Sequence, residues 1–170
     1  MGDTTGSTGS GRGLTGFERR ALRAICDAMV PSGGAIAEGA AAVVLWDLDE
    51  SALNETLVEL DDGPCAVSGY IVDVSDADAV ADTTAAVLDD LGRIDVLVNN
   101  AGVVRGNHYF WETDLERDAK FTIDVNTLAP MYVAHGFLPA MIAAESECRI
   151  MDLASAAGFT PNPRMAVYAA

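Results

Sequence analysis

The chain has 170 residues, with 26 acidic against 10 basic side chains and a formal net charge of −16 at pH 7. This length suits one ordinary domain with a sizeable core, while the excess of acid argues against nucleic acid as a partner, because phosphate binding relies on Lys and Arg. No run of about 18 apolar residues suggests a membrane span, and three widely spaced cysteines argue against a disulfide framework or a metal site and predict a reducing, cytoplasmic compartment.

Residues 1–34 are predicted to form a flexible tail followed by an atypical amphipathic helix. Residues 1–13 are Gly, Ser and Thr with scattered charge, a composition that cannot bury itself. Apolar residues then recur at every fourth position, which indicates a helix over Thr15–Met29. Pro31 ends this helix, and Ser32-Gly33-Gly34 forms a turn.

Residues 35–170 alternate between short apolar runs and amphipathic stretches, which predicts a second region of α/β class. The apolar runs predict four buried strands at Ala41–Trp46, Ala66–Val74, Ile94–Val98 and Arg149–Ala154. Strands separated by helices need crossover connections, hence a parallel, doubly wound sheet with helices on both faces. In such a sheet ligands gather at the carboxyl ends of the strands.

Three helices are predicted between these strands. Ser51 caps a helix that runs to Leu60, and Asp76 opens another that closes at Gly92. Asp114 caps a long helix that reaches about Ala144. Prolines at positions 130 and 139 mark bends or register changes within it.

Polar residues follow three of the predicted strands. Asp47 ends the first strand, where an acid in a dinucleotide-binding fold accepts hydrogen bonds from the adenosine ribose and repels a 2′-phosphate. Asp73-Val74 ends the second strand and is a candidate for the adenine edge. Asn99-Asn100-Ala101-Gly102 follows the third, and its small residues allow close approach of a ligand. The alternative for the two aspartates is a solvated strand end, and the alternative for the Asn-rich segment is a plain turn.

Two hydroxyl residues near the end of the sequence are candidates for proton transfer. Ser155 lies just past the fourth strand, and Tyr168 follows it 13 residues later. Such a pair can hold a carbonyl or alcohol oxygen and exchange a proton with it. Asn126, inside the long helix, is a candidate for a water or backbone bond, although a mid-helix Asn is usually exposed or locally bonded.

Taken in order, these residues resemble the short-chain dehydrogenase/reductase family over about residues 35–170. The resemblance implies a Rossmann-like fold and an NAD-dependent oxidoreductase that moves hydride between nicotinamide and a secondary alcohol or ketone. It assigns substrate orientation to Ser155, general acid/base chemistry to Tyr168 and support of the proton relay to Asn126. It places the cofactor against Asp47, Asp73, Val74, Asn100, Ala101 and Gly102, with Gly33 and Gly34 in the place of the phosphate-binding turn.

The sequence departs from the family pattern at both ends, so the predicted sheet is incomplete. The family begins with a strand and a glycine-rich turn that holds the pyrophosphate, whereas here the glycine spacing is compressed and Pro31 removes a backbone donor. The family also carries a lysine four residues after the catalytic tyrosine, and the sequence given ends two residues after Tyr168. The family's last strands are missing as well, so the resemblance is to a C-terminally truncated member.

Two alternatives to an active enzyme therefore stay open. One is a catalytically inactive fragment of the same fold, lacking the relay lysine and an intact phosphate loop. The other is a scaffold that forms homo-oligomers through the helix 114–144, whose apolar residues exceed what one core face needs. The substrate is not readable from the sequence, since Phe110, Trp111 and Phe159 suit either a pocket border or the core.

Overall fold

The computed structural model describes residues 42–61, 66–160 and 162–170, which belong to two compact units that divide after Ile71. The helix predicted over Thr15–Met29 and the turn with Gly33 and Gly34 lie outside the described residues. The same holds for most of the turn predicted after Leu60.

The first unit contains one strand–helix–strand crossover. Strand β1 (Ala42–Asp47) pairs in parallel with β2 (Ala66–Ile71), and Ala42 stands opposite Ala66. Helix α1 (Glu50–Leu60) joins them and buries Ala52, Leu53, Thr56 and Leu60. These positions recur every three to four residues, the spacing of one helix face.

Two boundaries in this unit differ from the sequence-based prediction. Helix α1 is capped by Asp49 and not by Ser51, because the Asp49 carboxylate accepts from the backbone N–H groups of Ser51 and Ala52. Strand β2 ends at Ile71, three residues before Val74, because its pairing stops where Asp47 ends the partner strand. Asp73 and Val74 thus lie past the strand and not on its last residues.

The second unit contains the other parallel pair. Strand β3 (Val96–Asn99) pairs with β4 (Arg149–Asp152), and helix α2 (Ala77–Leu91) precedes β3. The Asp76 carboxylate caps α2, and Gly92, at φ +74°, ends it in the left-handed region, as the sequence predicts. A long helical segment between β3 and β4 then packs on α2 and on β3.

That segment is one helical run in which π-helical and α-helical hydrogen bonding alternate. Asp114 caps it as predicted, and π-helical turns at Leu115–Ala119 and Asp124–Leu128 flank the short helix α3 (Lys120–Ile123). Helix α4 (Ala129–Ala143) completes the run, with Pro130 in its first turn. Within the described ranges, none of the helices is long and apolar enough to cross a membrane.

The described strands form two separate two-stranded sheets. Both pairs are parallel and both are joined through helices, which confirms the predicted α/β class and its crossovers. The prediction of an incomplete doubly wound sheet agrees with this division, because the residues the structure describes provide no strand that joins the two pairs.

Close packing of α2 on α4 depends on a glycine. An ideal Cβ built on Gly136 would lie 2.9 Å from both Cγ2 and Oγ1 of Thr84, a buried residue whose hydroxyl has no hydrogen-bond partner among the described residues. Real Cβ atoms do not approach other atoms so closely, so any larger residue must push the helices apart.

We expect Gly136→Ala to destabilise the protein by about 1–3 kcal/mol through overpacking, despite the roughly 0.5–1 kcal/mol that Ala gains over Gly in a helix. Urea unfolding followed by circular dichroism measures the change, and adding Thr84→Ala should recover part of it. The control is Gly158→Ala, where a new Cβ meets nothing within 4 Å. Equal stability of the two single variants would contradict the packing argument.

Candidate active site

The candidate site begins at the carboxyl end of β3, where Asn100, Ala101 and Gly102 are all exposed. The next residue, Val103, is fixed by Asn126 through two hydrogen bonds. The N–H of Val103 donates to Oδ1 of Asn126 at 2.8 Å, and Nδ2 of Asn126 donates to the carbonyl of Val103 at 2.8 Å. The Asn126 side chain thus satisfies both backbone groups of Val103, a residue that lies past the end of the strand.

Asn126 reaches this loop from the second π-helical turn. A π turn widens the helix by one residue and is frequent at functional sites. Pro130 follows this turn and has no N–H to offer the carbonyl of Asn126 four residues earlier. The mid-helix Asn is therefore neither exposed nor locally bonded, and it contacts the candidate loop.

The β3–β4 pair aligns two of the predicted positions. Nδ2 of Asn99 donates to Oδ1 of Asp152 at 2.7 Å, and the N–H of Leu153 donates to the carbonyl of Asn99 at 2.9 Å. Asn100 and Ser155 therefore follow the same ends of neighbouring parallel strands. This is the edge where ligands bind in open α/β sheets.

Ser155 and Tyr168 lie in the segments that follow β4. Ser155 is half-buried, and its Oγ accepts from the N–H of Ala157 at 3.2 Å at the start of the 3₁₀ turn Ala156–Gly158. Its own proton remains available to a substrate oxygen. Tyr168 is half-buried in a turn closed by the bond from the N–H of Ala169 to the carbonyl of Met165, 2.9 Å.

A buried carboxylate lies beside the next part of the loop. Asp118 is buried, and the Arg117 guanidinium donates to both of its oxygens, at 2.9 and 2.7 Å. These bonds hold the pKa of Asp118 below its usual range, against the opposing effect of desolvation, and the positive charges of His108 and Arg105 act in the same direction.

Gly106 allows the loop to pass close to this carboxylate. Its φ of +62° is in the left-handed region, and an ideal Cβ there would lie 3.1 Å from the Asp118 Cβ. Arg105 also places its guanidinium 3.8 Å from the centre of the Phe121 ring. Loop and helix are therefore joined at two points, Asn126 and Asp118.

The remaining predicted cofactor residues within the described ranges are Asp47, Asp73 and Val74. Asp47 belongs to the first unit, where its Oδ1 accepts from the N–H of Asp49 at 2.8 Å. Asp73 belongs to the second unit and accepts from the N–H and Oγ of Ser75, at 2.9 and 2.6 Å. Val74 is half-buried beside it.

The sequence reasoning missed two residues of this site, Asp118 and Asp152. Asp152 was detectable, because parallel pairing of the predicted strands places it beside Asn99. Asp118 had only a weak signal, an acid next to Arg117 in the first turns of an otherwise amphipathic helix. The suggestion that Phe110, Trp111 and Phe159 are core residues is wrong, since all three are exposed.

The sequence matches the family model of short chain dehydrogenases over residues 23–170. It is 32% identical over 140 residues to the CLA biosynthesis dehydrogenase/reductase of Lactiplantibacillus plantarum, covering 80% of this chain and 48% of that protein. Estradiol 17-beta-dehydrogenase 11 of Homo sapiens is 32% identical over 126 residues, covering 74% and 41%. The chain thus spans less than half the length of these curated relatives.

Solved structures of a dehydrogenase and of a short-chain oxidoreductase are also similar to this chain. NAD⁺-bound xylitol dehydrogenase superposes with a TM-score of 0.71 at 28% identity, covering 75% of this chain and 48% of that one. A metagenomic short-chain oxidoreductase in complex with NADP superposes with a TM-score of 0.71 at 34% identity, covering 75% and 57%. The structures similar to this chain therefore include both NAD and NADP complexes.

We expect Asn126→Ala to loosen the loop after β3, because both backbone groups of Val103 lose their partner. The loss of stability should be about 1–3 kcal/mol, and the Val103 amide should exchange with deuterium faster than in the natural chain. The exposed Asn107, in the same loop, supplies the control Asn107→Ala. Asn126→Asp should have an intermediate effect, since it retains only the acceptor. Unchanged exchange at Val103 would contradict the role of Asn126.

Proposed function

Because the chain belongs to the short-chain dehydrogenase family, we propose that it is part of an NAD-dependent oxidoreductase that transfers hydride between nicotinamide and a secondary alcohol or ketone. The observation that carries the proposal is the alignment of the β3 and β4 ends. The Asn100–Gly102 loop, held by Asn126, and Ser155 follow neighbouring strands.

The proposed roles of the polar residues follow from their surroundings. Ser155 donates a hydrogen bond from its hydroxyl group to the substrate oxygen, while its Oγ accepts from the N–H of Ala157. Tyr168 accepts the alcohol proton as its phenolate during oxidation, and as the phenol it donates that proton during reduction. Bound NAD supplies the nicotinamide carbon that accepts the hydride.

The proton taken up by Tyr168 needs a route to solvent. The carbonyl of Asn126 can hold a water on that route, because Pro130 cannot donate to it. The sole lysine of the sequence, Lys120, does not take part, since its ammonium donates to the Asp124 carboxylate, which also raises the pKa of Lys120.

The chemistry of the donor set fits the adenosine part of the cofactor. Oδ1 of Asp47 is used by the Asp49 N–H, and no described residue binds its Oδ2, so one carboxylate oxygen is available for a ribose hydroxyl. A negative charge there repels a 2′-phosphate, which favours NAD over NADP. We assign the exposed Asn100, Ala101 and Gly102 and the Asp73-Val74 turn to the same cofactor, together with Gly33 and Gly34.

A homo-oligomer through the long helix is also part of the proposal. Met131, Leu138 and Ile142 are exposed on α4, and their spacing of seven and four residues places them on one face of the helix. A second copy of the chain would cover this stripe by symmetry. The thiol of Cys148 is free, in keeping with a reducing cytoplasmic location.

The catalytic assignment is tested by oxidation of 2-butanol and cyclohexanol with NAD⁺, followed by NADH absorbance. Tyr168→Phe should lower the turnover rate by about a hundredfold or more, while calorimetry shows NAD⁺ binding unchanged. Tyr132→Phe, on α4, is the control and should retain full turnover. If the natural chain binds neither NAD nor NADP, the alternative of an inactive fragment is favoured. Full turnover by Tyr168→Phe would refute the acid/base role assigned to Tyr168.

Cofactor choice is tested with Asp47→Asn, which removes the charge and keeps an acceptor for the Asp49 N–H. We expect the preference for NAD over NADP, measured as a ratio of dissociation constants, to fall by about tenfold, or roughly 1.4 kcal/mol. Asp61→Asn, at the exposed end of α1, should leave the ratio unchanged. A chain that already prefers NADP would refute the assignment of Asp47.

The oligomer is tested with Ile142→Glu. Ile142 is 74% exposed and Val58, on α1, is 76% exposed, so Val58→Glu is a control of equal added charge. Burial of an Ile side chain contributes about 1.5–3 kcal/mol, so Ile142→Glu should weaken self-association at least tenfold by sedimentation, as that energy implies. A monomeric natural chain, or equal weakening by both variants, would argue against this interface.

A further inference from the structure

Positive charge is scarce in this chain, and in the part that the structure describes most of it is paired with acid. Six of the ten basic residues lie in the described part of the chain. Four of the six form ion pairs, which are Arg93–Asp95, Arg117–Asp118, Lys120–Asp124 and Arg149–Glu147. Arg105 stands over Phe121, and its charge acts on Asp118.

Arg164 is the exception. It is exposed, and within residues 42–61, 66–160 and 162–170 no carboxylate lies at ion-pair distance from it. Its guanidinium instead faces the ring of Tyr109, 5.9 Å from the ring centre. In a chain of net charge −16, a cation with an aromatic neighbour and no carboxylate is free to take an external anion.

An aromatic surface adjoins this guanidinium. The rings of Tyr109 and Trp111 are parallel within 1°, with centroids 4.8 Å apart, and Trp111 is 79% exposed. Two stacked rings give a flat apolar surface that loses little conformational entropy when a ligand packs on it. A cation from the segment after β4 is therefore beside two rings from the loop that follows the candidate cofactor residues.

Arg164 is also close in sequence to the proposed catalytic tyrosine. Arg164 is four positions before Tyr168, so their Cα atoms are at most about 14 Å apart even if fully extended. The bond from Ala169 to Met165 shortens this path by folding it into a turn. One ligand of modest length can therefore reach both side chains.

We propose that Arg164 is a specificity-determining residue that binds the carboxylate of an apolar secondary-alcohol substrate, with Tyr109 and Trp111 packing against the substrate's hydrocarbon part. The guanidinium fork matches a carboxylate in two parallel hydrogen bonds, which a neutral amide cannot form. This inference rests on the proposed function for the position of the alcohol carbon, and it adds the chemical class of the substrate.

The test compares two ligands that differ only in charge, a decanoate with a hydroxyl on the carbon next to its terminal methyl group and the corresponding decanamide. Calorimetry in the presence of NAD⁺ gives each dissociation constant, and NADH absorbance gives turnover. The natural chain should bind the carboxylate about three- to tenfold more tightly, the range for an exposed but bidentate pair. The preference should shrink at 1 M salt, where the screening length is about 3 Å.

Arg164→Gln should abolish the preference, and Arg164→Lys should retain part of it because it keeps the charge without the fork. Arg149→Gln, at another exposed arginine, is the matched control and should retain the full preference. A natural chain that does not distinguish the two ligands, or Arg164→Gln that still prefers the carboxylate, would overturn the inference even if both ligands are oxidised. If Arg164→Gln loses the preference but the natural chain forms no NADH from either ligand, the binding role of Arg164 would be upheld and hydride transfer refuted.

Discussion

The site depends on the pair of hydrogen bonds between Asn126 and the backbone of Val103. The loop after β3 must be free of strand pairing if its backbone is to face a ligand, and a free backbone is flexible unless another group binds it. An amide side chain offers one donor and one acceptor at the spacing of a peptide group, so it can hold such a loop without covering it. The π turn that positions Asn126, the close approach of Gly106 to Asp118 and the β3–β4 alignment all concern the same loop.

The energetic cost of this arrangement lies in the helix. Two π turns interrupt the run between Asp114 and α4, and each one replaces regular hydrogen bonds with longer-range ones. The helix tolerates them because its remaining turns are buried against α2, where Val133, Phe137 and Met141 form part of the core. Stable packing on one side thus permits irregular geometry on the side that meets the loop.

The sequence predicted the elements well where local signals decide them. Asp76 and Gly92 bracket α2 as expected, since a capping carboxylate and a left-handed glycine act within one turn. The prediction from sequence failed where two local signals compete, or where a partner strand determines the boundary of an element. Asp49 and Ser51 are both good caps two residues apart, and the end of β2 depends on Asp47 in the partner strand. Burial of Asp118 depends on a loop about twelve residues upstream, at Gly106, which no periodicity reveals.

Strand β4 has a consequence for how the protein behaves in concentrated solution. All four of its residues are exposed, and among the described strands it pairs with β3 alone. Arg149 and Asp152 place opposite charges at its two ends, with only Ile150 and Met151 between them. A fibril-forming zipper is built on segments of about six or seven residues. The four residues of β4 are therefore too few to seed amyloid by themselves.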